Sequence, residues 1–384
     1  MTSQPADTPV MNKVLPFPRY PFCQPSTPPE PGSSQLPQVP PVPPTATYWK
    51  FPVASSTAHK PKATPKRKTY IMGTLNVTPD SFSDGSINNS MPAALNYTKA
   101  AVEAGADILD IGGYSTRPGA EYVSPEEEFT RVVPVIQAIR VQHEQGVLGS
   151  PNREILISVD TFRWEVAEEA VHAGANCIND VYAFRGREYP VDSSSEELFF
   201  KMRQVARDLA VPVILMHSRG EASVNKDYSA YSYAADGSTV EGVRVELGER
   251  VDSIVKGKGG LRRWYVIIDP GIGFSKTVEG NLELLRHSAT FSDPNVLIGN
   301  PPRPNTLAGY PMLIGASRKS FLGLLLERPD EEGTYTGRET KADQREFATA
   351  AAVAWAVQQG AEIVRVHSVL ELGDVVRVTS AIMG

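Results

Sequence analysis

Eight short apolar runs punctuate the chain after Thr69, at 70–77, 108–113, 155–160, 177–181, 213–217, 266–269, 312–315 and 363–367. Each is apolar nearly throughout rather than alternating in polarity, as expected of a parallel strand covered on both faces. Between them, stretches such as 93–104, 125–143, 163–173 and 347–358 repeat apolar residues at helical spacing. Eight strand-then-helix units in roughly 315 residues predict an α/β fold, a TIM (β/α)8 barrel with a few loop insertions. A doubly wound open sheet is the competing arrangement, but it usually has fewer strands and a glycine fingerprint after the first one. Here that position reads Asn76-Val77-Thr78-Pro79.

The pattern before Thr69 is different. About half of the 32 prolines lie in residues 1–68, in runs such as Pro40-Pro41 and Pro43-Pro44. Such a stretch buries too little apolar surface to offset its ordering entropy, so a disordered or polyproline tail is expected there. The barrel domain is expected over 69–384. The short apolar cluster Tyr48-Trp49-Lys50-Phe51 is a candidate for docking on the folded body.

Polar groups recur where the apolar runs end. They are Asn76, Gly113 leading to Thr116 and Arg117, Asp160, Asn179, His217, Asp269, Ser317 with Lys319, and Arg365 with His367. In a parallel barrel all those ends surround one mouth, where active sites of this fold lie. Asp160 and Asp269 close apolar strands, so both carboxylates need hydrogen-bond donors or a cation. One carboxylate can accept a pair of N–H groups from a planar aminopyrimidinone ring, and Asn179 can both donate and accept. Two structural ion pairs are the plainer explanation of the same carboxylates. Arg365 and His367 alternate across one residue and share a strand face; with Lys319 and Ser317 they form a donor cluster suited to a diphosphate.

Composition and charge exclude other chemistry. The net charge is -6, with 44 acidic against 38 basic residues, which argues against nucleic acid or an anionic membrane as the main partner. Residues 1–69 hold eight basic and two acidic residues, so the remainder carries about -12. That acid-poor stretch raises mitochondrial import, although scarce Arg and frequent Pro oppose an amphipathic targeting helix, and the cytoplasm is the expected location. Two cysteines, Cys23 and Cys177, are too few for a disulfide framework and point to a reducing compartment. No run reaches the roughly 18 apolar residues of a membrane span. No zinc-ligand spacing and no G-x-x-x-x-G-K-[ST] element occur. A hard cation held mainly by substrate phosphates and one amide oxygen would suit Mg²⁺. Lys319 as a Schiff-base nucleophile would need a desolvated amine, which the polar run Ser317-Arg318-Lys319-Ser320 disfavours.

Several of these segments resemble the dihydropteroate synthase family of pterin-binding enzymes. N-V-T-P-D-S-F-S-D-G at 76–85 and D-I-G-G-Y-S-T-R-P-G-A at 110–120 resemble its first two signatures. S-V-D-T at 158–161, I-N-D-V at 178–181, D-P-G-I-G-F-S-K at 269–276, G-A-S-R-K-S at 315–320 and R-V-H at 365–367 follow in the family's order. The similarity covers about residue 68 to the C-terminus. It implies a transferase of folate biosynthesis that joins a pterin diphosphate to 4-aminobenzoate, and a homodimer. The tail and lengthened loops look fungal, and in fungi such a domain is commonly the last module of a multifunctional folate-synthesis polypeptide.

The resemblance also implies roles. Asn76 would ligate a Mg²⁺ bridging the diphosphate, with Asp84 a second contributor. Asp160, Asn179, Asp269 and Lys319 would hold the pterin, with Met216 and Phe274 packing near it. Thr116, Arg365 and His367 would engage the diphosphate end, and Arg117 is a further substrate-binding residue. Phe82, Pro118, Lys319 and Ser320 would frame the 4-aminobenzoate pocket, where sulfonamides compete in this family. Asp160, Lys319, Arg365 and His367 are the expected catalytic set. Departures from the family pattern are Ser368 in place of Asp after R-V-H, Tyr182-Ala183 after I-N-D-V, Ser218, Ser86 and Tyr114. A pterin-dependent methyltransferase and a non-catalytic pterin-binding scaffold are the alternatives.

Overall fold

A computed structural model of the chain describes residues 69–78, 87–116, 120–148, 155–190 and 193–383. The tail expected over 1–68 lies outside the described residues, as do Phe82, Asp84, Ser86, Arg117 and Pro118. Strands and helices alternate in the order β1 (Tyr70–Asn76), α1 (Ile87–Glu103), β2 (Ile108–Gly112), α2 (Pro125–Glu144), β3 (Leu156–Asp160), α3 (Trp164–His172), β4 (Cys177–Asp180) and α4 (Ser193–Asp208). They continue with β5 (Val213–Met216), α5 (Ser238–Val255), β6 (Val266–Asp269), α6 (Val278–Arg286), β7 (Leu297–Ile298), β8 (Arg303–Pro304), β9 (Leu313–Ile314), α7 (Ser320–Leu326), α8 (Glu346–Gln358), β10 (Ile363–Val366) and α9 (Val369–Met383).

Eight of these strands pair in parallel in the order β6-β5-β4-β3-β2-β1-β10-β9. A parallel bridge between Ile268 and Met312 joins the two edges, so the sheet closes on itself. Closure removes both open edges, and it sets the first strand beside the last, with Tyr70 opposite Ile363 and Met72 opposite Arg365. The interior holds one contiguous apolar plug: Tyr70, Met72, Ile108, Leu156, Cys177, Ile214, Ile267, Leu313 and Ile363. Every barrel strand contributes to it. Because side chains alternate along a strand, the intervening residues, such as Leu109, Ile157, Ile178 and Leu215, face outward and pack under the helices in a second, larger cluster. That two-sided burial is why the strands read as continuous apolar runs.

The eight predicted strands all form, with ends within one residue of expectation, and the seventh is thereby left with two of its four expected residues. The antiparallel pair β7–β8, Leu297 opposite Pro304, was not anticipated; a two-residue strand containing proline gives no periodic signal. The first helix begins at Ile87 rather than 93, with Pro92 inside it. Among the described residues no helix is long and apolar enough to cross a membrane.

The plug beneath the mouth is what spaces the strand ends. Ile108→Ala leaves a cavity among side chains from neighbouring strands, with Ile108 itself wholly buried. Its expected cost is about 2–5 kcal/mol of unfolding free energy, read from urea denaturation. A loss below about 1 kcal/mol would show that the interior collapses around the gap.

Candidate active site

The polar layer begins two residues along each strand from the plug, at the next inward-facing position. Asp110 lies in the middle of β2, fully buried in a strand that is otherwise Ile, Leu, Ile and Gly. Its Oδ2 accepts from Arg365 Nε at 2.6 Å and from Asn179 Nδ2 at 3.1 Å. The same guanidinium reaches Asp160 Oδ2 through Nη2 at 2.9 Å. One arginine on β10 therefore bridges carboxylates on β2 and β3, while Asn179 on β4 ties into the first of them. Arg365 and His367 do share a face, yet they part at their tips. The guanidinium turns to the two carboxylates, whereas His367 Nδ1 lies 2.9 Å from Ser317 Oγ in the loop after β9. The donor cluster expected of Arg365, His367, Ser317 and Lys319 is thus divided between an ion-pair network and a histidine–serine pair.

Asp269 closes β6 and is almost fully buried; its Oδ1 accepts from Gly271 N at 2.7 Å. The loop that follows brings Phe274 beneath Lys319, whose Nζ stands 4.1 Å from the ring centroid. Gly273 makes this approach possible. Its φ is +82°, and a Cβ there would come within 2.8 Å of Lys319 Cδ. Met216 packs with Val181 and Tyr182, and Phe274 and Phe162 lean on that cluster. Asn76 ends β1 half-buried and paired in register with Gly112, and Thr116 is likewise half-buried. Ser320 starts α7 on the exposed side.

Burial dominates the electrostatics. It pushes Asp160 up to about 7, reinforced by the Asp110 carboxylate and opposed by Arg365. It pushes Asp269 up to about 6 against the Gly271 hydrogen bond and the Lys319 charge. Behind them Lys276 is buried with its Nζ on the Phe274 carbonyl at 2.7 Å and His217 Nδ1 at 3.2 Å. His217 in turn meets Glu246 Oε2 at 3.0 Å, and burial together with Lys276 holds it down to about 3. His217, expected at the mouth, instead belongs to this supporting network.

Three of the positions that depart from the family pattern have local explanations. Ala183 and Phe184 adopt φ of +50° and +67°. The Asp180 carboxylate stabilises that turn by accepting from Tyr182 N at 2.7 Å and Phe184 N at 3.0 Å. Ser368 Oγ accepts from Arg318 Nη2 at 2.8 Å, and Ser218 Oγ donates to Gly220 O at 2.7 Å. Asp110 and Lys276 escaped the sequence reading because neither ends an apolar run. A carboxylate inside one was the available signal for Asp110.

Among the described residues no three His, Cys, Asp or Glu side chains gather as a metal site. The Asn76 amide oxygen suits an ion held chiefly by substrate phosphates and water, as Mg²⁺ commonly is.

The raised carboxylates predict a pH dependence of stability. Asp160 and Asp269 bind protons more tightly folded than unfolded, so their contribution is fully present below about pH 3.8 and is lost as pH rises through about 6 to 7. Asp160→Asn should flatten that decline in urea midpoints between pH 4 and pH 7. An unaltered slope would contradict the assignment.

Comparison with known proteins agrees with this geometry. The pterin binding enzyme family matches residues 72–367. Dihydropteroate synthase of Synechocystis is 38% identical over 316 residues, covering 82% of this chain and 91% of that protein. A mitochondrial folate synthesis bifunctional protein of Pisum sativum is 39% identical over 318 residues, covering 83% of this chain and 54% of that one. The solved structure of Xanthomonas albilineans dihydropteroate synthase with 4-aminobenzoic acid superposes with a TM-score of 0.63 at 36% identity, covering 83% and 94% of the two chains. The same enzyme with 7,8-dihydropteroate gives 0.60 at 33% identity, with the same coverage. With its barrel, its carboxylate-lined mouth and these relatives, the chain belongs to the pterin binding enzyme family, among the dihydropteroate synthases.

Proposed function

We propose that this protein condenses (7,8-dihydropterin-6-yl)methyl diphosphate with 4-aminobenzoate, yielding 7,8-dihydropteroate and diphosphate for folate biosynthesis. The observation that carries the reading is the convergence of Asp160, Asn179, Asp269 and Lys319 on one barrel mouth above a dry apolar plug. The carboxylates and the amide suit the N–H donors of a pterin ring, and Met216 with Phe274 offers it an apolar wall.

The reaction begins as the C–O bond to the exocyclic methylene breaks and its electron pair leaves with diphosphate. Thr116 and His367 donate to the departing oxygens, and Arg365 adds positive potential from below. Asp160, in the ionised form that prevails above about pH 7, faces the pterin-methyl cation and lowers its energy. The aromatic amine of 4-aminobenzoate then attacks the methylene carbon and sheds a proton, with Lys319, Phe274 and Ser320 bordering its pocket. Phe82, Pro118 and Arg117 belong to the same reading, from loops outside the described residues. A Mg²⁺ ion on Asn76, with Asp84 as a second contributor, would offset charge on the leaving diphosphate.

The catalytic unit in this reading spans 69–384 and works as a homodimer. An outward apolar face supports the second point: Leu324, Phe347, Leu370, Val378 and Ile382 are large hydrophobics left exposed on α7, α8 and α9, Phe347 by 88% and Ile382 by 80%. The chain spans about half of the Pisum bifunctional relative, which supports a place as one module of a multifunctional folate-synthesis polypeptide. The cytoplasm is the proposed location, and a mitochondrial one is the alternative that the acid-poor N-terminal stretch keeps in view.

Purified protein with Mg²⁺, the pterin diphosphate and labelled 4-aminobenzoate should form dihydropteroate; pterin binding without product would favour the scaffold reading. Asp160→Asn should lower kcat by about tenfold or more while pterin affinity moves less, since the lost interaction is strongest in the transition state. Equal losses in both would remove that role. Phe347→Glu should shift the mass measured by light scattering from dimer to monomer, and an unchanged mass would exclude this face.

A further inference from the structure

The loop entering α3 holds an arginine that the reaction does not touch. Arg163 follows Asp160 by three residues and is 7% exposed. Its Nη1 pairs with Glu128 Oε2 at 2.7 Å, and Glu128, on α2, is fully buried. Its Nη2 donates to the backbone carbonyl of Val123. The guanidinium carbon also lies 5.0 Å from the ring centroid of Tyr114, 5.4 Å from that of Tyr122 and 5.3 Å from that of Phe162.

These partners stand on both sides of one segment. Tyr114 lies two residues before Thr116, and Tyr122 and Val123 lie where the chain turns into α2. The start of the segment is also seated on α2. Arg131 Nη1 donates to Gly113 O at 2.9 Å, and a Cβ at Gly113 would lie 2.8 Å from Val132. A planar, permanently charged group suits this position because it can pair with a carboxylate, donate to a carbonyl and lie against rings at once. Glu128 alone needs only a cation; the three rings and the Val123 carbonyl need the guanidinium plane.

We infer that Arg163 is a positioning residue for Thr116, fixing both ends of the 113–123 segment to the strand end that carries Asp160. The inference rests on the reading of Thr116 as a group at the diphosphate end. Asp160, Asn179 and Asp269, which read the pterin, sit on the strands themselves, so the effect falls on bond breaking rather than on pterin binding.

The test compares Arg163→Lys, Tyr122→Ala and Tyr122→Phe with the wild-type protein, measuring kcat, pterin diphosphate affinity by calorimetry and thermal midpoint. Arg163→Lys keeps a cation for Glu128 and should lower kcat about tenfold with pterin affinity within about twofold. Tyr122 is 73% exposed, so its removal spares the fold. Tyr122→Ala should lower kcat about threefold at an unchanged midpoint, with Tyr122→Phe restoring it. Unchanged kcat in the folded variants, or pterin affinity falling in step with kcat, would overturn the role of Arg163. Should Arg163→Lys fail to fold, the tyrosine pair decides by the same criteria. Absence of product from the wild type would instead overturn the reading of the activity, and this inference with it.

Discussion

A single guanidinium inside the barrel makes the rest of the mouth possible. Asp110 and Asp160 sit on adjacent strands above the apolar plug, and two such carboxylates repel each other at short range. Arg365 answers both with separate nitrogens. Burial alone would lower the affinity of Arg365 for its proton, but Asp110 and Asp160 outweigh it and hold the charge firmly. Removing one member of such a set leaves a buried charge without its partner, which costs far more than the pair contributes. The network therefore fixes the spacing of β10, β2 and β3 as well as the charge environment of Asp160 at the mouth.

The division of labour follows from depth. Asp110, wholly enclosed, serves as an electrostatic anchor and is satisfied by protein groups on one oxygen. Asp160, a layer higher and partly exposed, retains an oxygen toward the site. Asp269 shares that level on the opposite arc, held by its own loop. The second tier behind β5 and β6 works similarly: Glu246, His217 and Lys276 form a chain that ends on the Phe274 carbonyl, so a buried charge network in α5 and its neighbours shapes the wall against which Lys319 lies.

Most of the fold was legible because a parallel barrel strand is buried on both faces and has to be an apolar run. The groups at strand ends were legible for the converse reason, since polarity reappears where the plug stops. What the sequence concealed lies within the runs or off them. Asp110 interrupts β2 without ending it, and its partner Arg365 is distant along the chain. His217 shares the strand-end position of Asp160 and Asp269, but its ring turns away toward Glu246; no one-dimensional pattern distinguishes those two outcomes. Arg163 looked like an ordinary residue at the start of a helix, because three rings and a buried glutamate meet it only in three dimensions.

The pairing of Arg365 with Asp110 spans 255 residues, and that with Asp160 spans 205. A ribosome delivers the acids long before it delivers their counter-ion, at roughly 5–20 residues per second, so a gap of tens of seconds at the slow end separates them. During that interval the strands already made lack both the neighbour that closes the sheet and the charge that makes their interior tolerable. Contacts of such high sequence separation form late and slowly. The strand that carries Arg365 is thus the one that seals the barrel and completes its site, and every barrel strand made before it waits on that arrival.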